Sequence, residues 1–157
     1  MQVLDLEARA HADHPEELRL WLRLLACTQR VERDLRTRLR EEFETTLPRF
    51  DLMAQLERVP QGLRMNELSR RMMVTGGNVT GITDQLEGEG LVERVLVEGD
   101  RRAFRVRLTP KGRKFFHALA DAHERWVVDA FAGLSPDEIR ALHQLLGKVK
   151  QHHLESE

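Results

Sequence analysis

Two clusters in the middle of the chain carry side chains that could recognise another polymer by charge and hydrogen bonding. Small and polar side chains recur on one side of a predicted helix, at Thr75, Gly77, Asn78, Thr80, Gly81 and Gln85. Further along the chain, Asp100 is followed by Arg101 and Arg102. Amide side chains can pair with the N6 and N7 edge of adenine, threonine can contact a thymine methyl group, and arginine is attracted to narrow minor grooves. These residue types therefore predict recognition of double-stranded DNA.

The distribution of charge supports this interpretation, although the 157-residue chain as a whole has a net charge of -1. Residues 64–114 carry 11 Lys and Arg against 7 Asp and Glu, whereas residues 1–63 carry 10 against 12 and residues 115–157 carry 4 against 7. A basic block inside an acidic chain can contact phosphates locally. The candidate phosphate contacts are Arg70, Arg71, Arg94, Arg105 and Lys111.

The pattern around the first cluster predicts two short helices joined by a turn. The second of them should span about residues 76–87, with Val79, Ile82 and Leu86 facing the core and Thr75 as its N-cap. Three glycines at positions 76, 77 and 81 should each cost this helix about 1 kcal/mol relative to alanine. A helix weakened in this way favours close approach of its outer face to DNA.

The second cluster lies at the tip of a predicted β-hairpin. Residues 91–97 and 103–109 form its strands, because Phe104, Val106 and Leu108 alternate with Arg105 and Arg107. Residues 98–102 form the tip.

Long amphipathic helices flank this central part. Apolar residues spaced three and four apart predict a helix from about residue 14 to 44, a second begins near Pro48, and two more span about 110–131 and 136–152. Because no further domain is predicted beside them, their apolar stripes are suited to dimerisation.

At this point the chain resembles the MarR family of bacterial winged-helix transcription regulators. The residues that carry the resemblance are Asn66-Glu67-Leu68, Arg70 and Arg71, Val79-Thr80, Leu86-Glu87, Gly90-Leu91-Val92-Glu93-Arg94, Asp100-Arg101-Arg102, Val106, and Leu108-Thr109-Pro110 with Gly112. The most specific part is Asp100-Arg101-Arg102 with the Leu-Thr-x-x-Gly that follows it, which resembles the wing signature of the family.

The resemblance implies a mainly α fold with a small β-hairpin wing. A winged helix-turn-helix at 48–114 would be flanked by a helical dimerisation region at 1–47 and 115–157, together forming one compact protomer. The resemblance also implies an obligate homodimer that binds a pseudo-palindromic DNA operator, usually as a repressor. Asp100 would brace the wing through an ion pair. On electrostatic grounds Asp84 should lie at the groove edge or be bridged to an arginine.

The resemblance further implies a small-molecule effector, typically an aromatic acid, and arginines of the first helix could also hold the phosphates of an acyl-CoA. Arg19, Arg23 and Arg30 are the candidate ligand residues. The alternative is that these arginines pair with acidic neighbours on a solvated face.

Cys27 offers a redox-sensing alternative, because one branch of the family uses a thiolate near the start of the chain that nearby tyrosines activate. The sequence contains no tyrosine, and we expect Cys27, beside Leu24, Leu25 and Ala26, to be a buried and inert thiol. The seven histidines include no helical i, i+4 pair, so we expect no metal site, and metal sensing through tertiary contacts is the alternative. We also expect no cofactor.

Other function classes find less support. The sequence contains no nucleophile elbow, phosphate loop or metal motif, so we do not expect an enzyme. A winged helix used as a protein-interaction module would expose an apolar patch on the predicted recognition helix, where Gly77, Asn78 and Gly81 stand instead. The start of the chain lacks the pattern of a signal peptide and no run is long enough to span a membrane, so we expect a cytoplasmic protein.

Overall fold

A computed structural model describes residues 6–72 and 78–157. In these ranges a short 3₁₀ helix (Leu6–Arg9) precedes α1 (Glu16–Phe43), α2 (Leu47–Glu57), β1 (Leu63–Arg64), α3 (Met65–Arg71), α4 (Val79–Gly88), β2 (Val92–Val97), β3 (Asp100–Leu108), α5 (Pro110–Ala130) and α6 (Pro136–Leu154). The mainly helical winged fold that the sequence predicted is confirmed.

The chain divides into two compact units, Met1–Ala122 and His123–Glu157. The first unit combines α1 with the winged helix-turn-helix, whereas the sequence grouped residues 1–47 with residues 115–157. The second unit contains the end of α5 and the whole of α6.

Helix α1 runs almost as predicted, because Glu16 and Glu17 suit its positive end and Glu44 ends it in the left-handed region at φ 52°. Its buried residues are Ala26, Leu35 and Leu39. Cys27 is exposed, so the prediction of a buried thiol is wrong. The physical reason is the 100° step of a helix, which turns the residue after buried Ala26 away from the core.

The core of the first unit forms where α2, α3 and α4 pack on the sheet. Its fully buried side chains include Leu52, Met53, Leu56, Leu68 and Leu86. Helix α2 begins at a good cap, since the Thr46 side chain accepts a hydrogen bond from the Arg49 N–H.

The sheet has the strand order β1-β3-β2, and both pairings are antiparallel. Strand β1 was not predicted: its two residues pair with Arg105 and Val106 of β3. Strand β3 begins at Asp100, three residues earlier than predicted, which leaves Glu98 and Gly99 as the turn. Gly99 adopts φ +84°, a conformation that suits glycine in a hairpin turn.

The first turn of helix α5 lies close to Leu91, the residue before β2. A Cβ atom at Gly112 would overlap the carbonyl oxygen of Leu91, so this approach requires glycine. The Thr109 hydroxyl accepts a hydrogen bond from the Gly112 N–H at 2.9 Å and so satisfies a free donor in the first turn.

Helix α6 begins at a capping box formed by Ser135 and Glu138. Hydrogen bonds from Ser135 lower the pKa of the Glu138 carboxyl. None of the residues of α6 is buried. Within the described ranges, no helix combines the length and apolar character needed to cross a membrane.

Candidate nucleic-acid interface

Helix α4 is the candidate recognition helix, and its start differs from the prediction. Asn78 caps it, with the side-chain oxygen accepting the Gly81 N–H at 3.2 Å. The helix therefore begins at Val79, and Thr75 is not its N-cap; Thr75 and Gly77 lie outside the described residues. The cap occupies the Asn78 oxygen and leaves its amide N–H₂ group as the part suited to reading a base.

The two faces of α4 are chemically distinct. Ile82, Thr83 and Leu86 are buried in the core. The sequence missed Thr83, whose hydroxyl is satisfied inside the core by donating to the Val79 carbonyl at 2.7 Å. The opposite face exposes Thr80 and Gln85 among the candidate readers.

Gly81 lies on the outer side of α4, where packing against the described residues does not require glycine. Among the described residues, the atoms nearest to a Cβ at this position belong to the Asn78 side chain, the closest at 3.4 Å, which is ordinary van der Waals contact. The fold itself therefore accepts alanine here.

The wing presents its basic residues to solvent. Arg101 and Arg102 are exposed near the turn, and Asp100 is exposed beside them. The Asp100 carboxylate accepts a hydrogen bond from the backbone N–H of Arg102 at 2.9 Å. The resemblance implied an ion pair for Asp100. Among the residues that the structure describes, Asp100 makes this hydrogen bond instead.

The candidate phosphate contacts have different surroundings. Arg70 and Arg71 are exposed at the end of α3, and Arg70 Nε donates to the Asn66 carbonyl at 3.3 Å. Lys111 is exposed, and its ammonium donates to the Glu89 carbonyl at 2.9 Å. Arg105 is only partly exposed and donates to the Gly62 carbonyl at 3.3 Å. Arg70, Arg71 and Lys111 therefore have the freer access to a phosphate.

Arg94 is the candidate whose surroundings differ most from those of a phosphate contact. One guanidinium nitrogen lies 2.5 Å from Asp84 Oδ1 and another lies 2.6 Å from Glu87 Oε1. The expectation that Asp84 is bridged to an arginine is thus confirmed. The sequence offered a signal for this contact: in β2, Arg94 follows Val92 by two residues and therefore shares its core-facing side.

The ligand candidates of α1 do not lie together. Arg19 and Arg23 line a cleft of about 480 Å³ between the 3₁₀ helix and α1, together with Glu7, His11 and Leu20. Arg30 is not among its lining residues. Arg23 donates to Glu7 Oε1 at 2.5 Å, and this contact raises the pKa of the Arg23 guanidinium. A ligand carboxylate would have to compete with Glu7 for Arg23.

Metal ligands are not gathered in the part of the chain that the structure describes. Within it, no group of three or more His, Cys, Asp or Glu side chains is arranged to hold a metal ion. The rings of His11 and His14 have centroids 5.0 Å apart, but they form only a pair.

Comparisons with known proteins agree with this geometry. A model of the MarR family matches residues 44–103, which span α2 to the wing. A MarR family transcriptional regulator of Silicibacter pomeroyi is 33% identical, with a TM-score of 0.73, and the match covers 91% of this chain and 99% of that one. The HTH-type transcriptional regulator PecS of Dickeya dadantii is 27% identical over 113 residues, 71% of this chain and 68% of PecS.

A third relative was crystallised with DNA. A cysteine-to-serine mutant of E. coli MarR, complexed with operator DNA, is 25% identical with a TM-score of 0.71, and the match covers 85% of this chain and 95% of that one. The family model matches the wing residues and α4, and the match to the S. pomeroyi regulator extends over nearly both whole chains. The chain therefore belongs to the MarR family of transcriptional regulators.

Proposed function

We propose that the protein is a homodimeric, sequence-specific DNA-binding repressor whose α4 enters the major groove and whose wing enters the flanking minor groove. The observation that carries this proposal is the pair of exposed arginines, Arg101 and Arg102, on the wing. The outer face of α4 adds small and polar side chains. Arginine gains most in a narrow minor groove, where the negative potential is concentrated. Asn78, Thr80 and Gln85 are the proposed base readers, and Arg70, Arg71 and Lys111 the proposed phosphate contacts.

The similarity to E. coli MarR supports this use of the fold, because that protein was crystallised with operator DNA. The basic excess of residues 64–114 supports it independently. Binding should therefore weaken steeply as salt is added, since phosphate contacts release condensed counterions.

The dimer is supported by the apolar side chains that the chain leaves in solvent. Helix α6 exposes Ile139, Leu142, Leu145, Leu146 and Val149. The start of α1 exposes Leu18, Leu20 and Trp21. Burying one such side chain is worth about 1.5–3 kcal/mol, so a second copy of the chain that covers these stripes would gain substantial stability. Two copies would also present two wings and two recognition helices to a pseudo-palindromic site.

Release from DNA by a small aromatic acid or acyl-CoA is the regulatory part of the proposal. It is supported by the two arginines, Arg19 and Arg23, that line one cleft with apolar Leu20. Arginine holds carboxylates and phosphates through paired hydrogen bonds. Benzoate and benzoyl-CoA are suitable probes, because a ligand that binds the folded state raises the melting temperature by mass action.

The exposed thiol of Cys27 supports a second candidate, a regulator that responds to oxidants. In that case peroxide would abolish DNA binding by the wild-type protein and spare a Cys27→Ser variant. Neither benzoate nor benzoyl-CoA would then shift the melting temperature.

Selection from a randomised duplex library tests the proposal. We expect the wild-type protein to enrich a pseudo-palindromic sequence, and a variant with Arg101→Ala and Arg102→Ala to enrich it far less. Absence of enrichment, with no salt-dependent binding to random duplex, would instead favour a protein-interaction module.

A further inference from the structure

Arg94 joins the two DNA-facing elements of the fold. It lies on β2, at the base of the wing, and contacts Asp84 and Glu87 one helical turn apart on α4. Its guanidinium carbon also lies 5.3 Å from the centre of the Phe104 ring on β3. One side chain therefore links the recognition helix to both strands of the wing.

The register of the hairpin explains why this link exists. Arg94 is opposite Val106 and Leu96 is opposite Phe104, so these four residues share one face of the sheet. Val106 is fully buried on that face, and the Arg94 side chain is only 25% exposed. A charged group in such a position needs partners, and two carboxylates and an aromatic face supply them.

The carboxylates dominate the electrostatics of the guanidinium. The hydrogen bond to Asp84 contributes most to raising the pKa of Arg94, which keeps the group charged. A planar guanidinium can bind two carboxylates at once with fixed geometry, which a lysine cannot do. Arg94 in turn places a positive charge beside Asp84 and Glu87, which lie on the helix that would face DNA.

We propose that Arg94 is a positioning residue that fixes the wing relative to α4, and that it does not itself contact phosphate. This inference rests on the proposed DNA-binding function. Removing Arg94 would free the wing from its contacts with α4. The DNA affinity lost when Arg94 is removed should therefore depend on the wing arginines being present.

A double-mutant cycle tests this dependence. The probe is the duplex that wild-type protein selects from a randomised library, measured by fluorescence anisotropy. Arg94→Met is combined with the wing variant Arg101→Ala/Arg102→Ala, because methionine keeps the contact with Phe104 but lacks the charge. We expect Arg94→Met to weaken binding roughly tenfold with the wing intact and less than about twofold in the wing variant. Equal losses in both backgrounds, or no loss in either, would overturn the proposal.

Arg107→Met is the matched control. It removes an ion pair of the same hairpin, in which Arg107 Nε lies 2.7 Å from Glu93 Oε1, but on the opposite face of the sheet. We expect it to bind the probe like wild type. If Arg107→Met loses as much duplex affinity as Arg94→Met, then removing any ion pair of the hairpin weakens binding. That result contradicts a specific role for Arg94.

Glu87→Ala is a second test that keeps the proposal falsifiable if Arg94→Met does not fold. Alanine is a strong helix former, so α4 should persist. Loss of one anchor of Arg94 should weaken binding by roughly threefold, whereas simple removal of a negative charge near DNA would tighten it. Tighter or unchanged binding contradicts the proposal. If the wild-type protein selects no duplex at all, it is the proposed function that fails.

Discussion

The carboxylate of Asp100 accepts a hydrogen bond of 2.9 Å from the backbone N–H of Arg102, at the start of β3 and directly after the wing turn. The bond holds the chain just before the arginine and so fixes where its side chain leaves the backbone. An aspartate directly before two candidate DNA-binding arginines would otherwise be unfavourable, because it repels phosphate. Its role in the structure is thus local orientation.

Asp100→Ala should weaken DNA binding although it removes a negative charge. Loss of the hydrogen bond should leave Arg102 less ordered and weaken the free energy of DNA binding by about 1 kcal/mol. Anisotropy titrations of a selected duplex measure this, with Glu98→Ala as the control, because Glu98 is an exposed carboxylate of the same turn. If both variants bind equally well or more tightly than wild type, Asp100 has no orienting role.

Asn78→Asp should separate the two roles of Asn78. Aspartate caps helices as well as asparagine does and suits the positive helix end, so the melting temperature should not fall. DNA binding should weaken by about 1–3 kcal/mol, because the amide donor is lost and a carboxylate faces the groove. Asn78→Ser, a neutral cap, should also lose affinity. If both variants bind DNA as tightly as wild type, Asn78 acts only as a helix cap.

Gly81→Ala should raise stability and lower DNA affinity. Alanine is better than glycine inside a helix by about 1 kcal/mol, and the structure has room for the added methyl group. The same methyl group would keep α4 from approaching a groove wall. Thermal melts and duplex titrations measure the two effects.

Gly88→Ala is the control for this prediction. Gly88 is the last residue of α4, and an added Cβ would meet no atom of the described residues within 4 Å. It should not affect DNA binding. If Gly81→Ala binds DNA as tightly as Gly88→Ala does, the backbone of α4 does not approach DNA closely at Gly81.

Leu142→Glu combined with Leu146→Glu should convert the dimer into monomers. Both leucines lie on the exposed apolar stripe of α6, and burying unpaired carboxylates in an interface costs several kcal/mol. Sedimentation velocity should show half the wild-type mass, with helix content preserved by circular dichroism. Gln144→Glu, on the opposite face of α6, should remain dimeric. A wild-type protein that sediments as a monomer would contradict the dimer outright.

Periodic patterns made much of the fold predictable. The apolar spacing of α1 and the alternation of Phe104, Val106 and Leu108 reproduce the observed helix and strand closely. Strand β1 was unpredictable because two residues are too few to show alternation. It forms only because β3 offers a free edge to Leu63 and Arg64.

The errors at the candidate site have local causes. Thr75 and Asn78 are both suitable caps, but asparagine is the stronger one, and the glycines at 76 and 77 disfavour a helix between them. Arg94 was interpreted as a phosphate contact because its partners lie on another element, seven and ten residues before it. Pairings of this kind depend on how α4 packs against the hairpin, which a single sequence does not specify.

The salt dependence of duplex binding, measured by anisotropy for wild type and Arg102→Ala, tests the central claim most directly. Wild-type affinity should fall steeply with salt, whereas Arg102→Ala should bind about 1–3 kcal/mol more weakly with a slope of log K against log salt that is flatter by about 0.9. Equal affinities and equal slopes would contradict the wing as a DNA contact. Wild-type protein that binds no duplex even at low salt would contradict DNA binding itself.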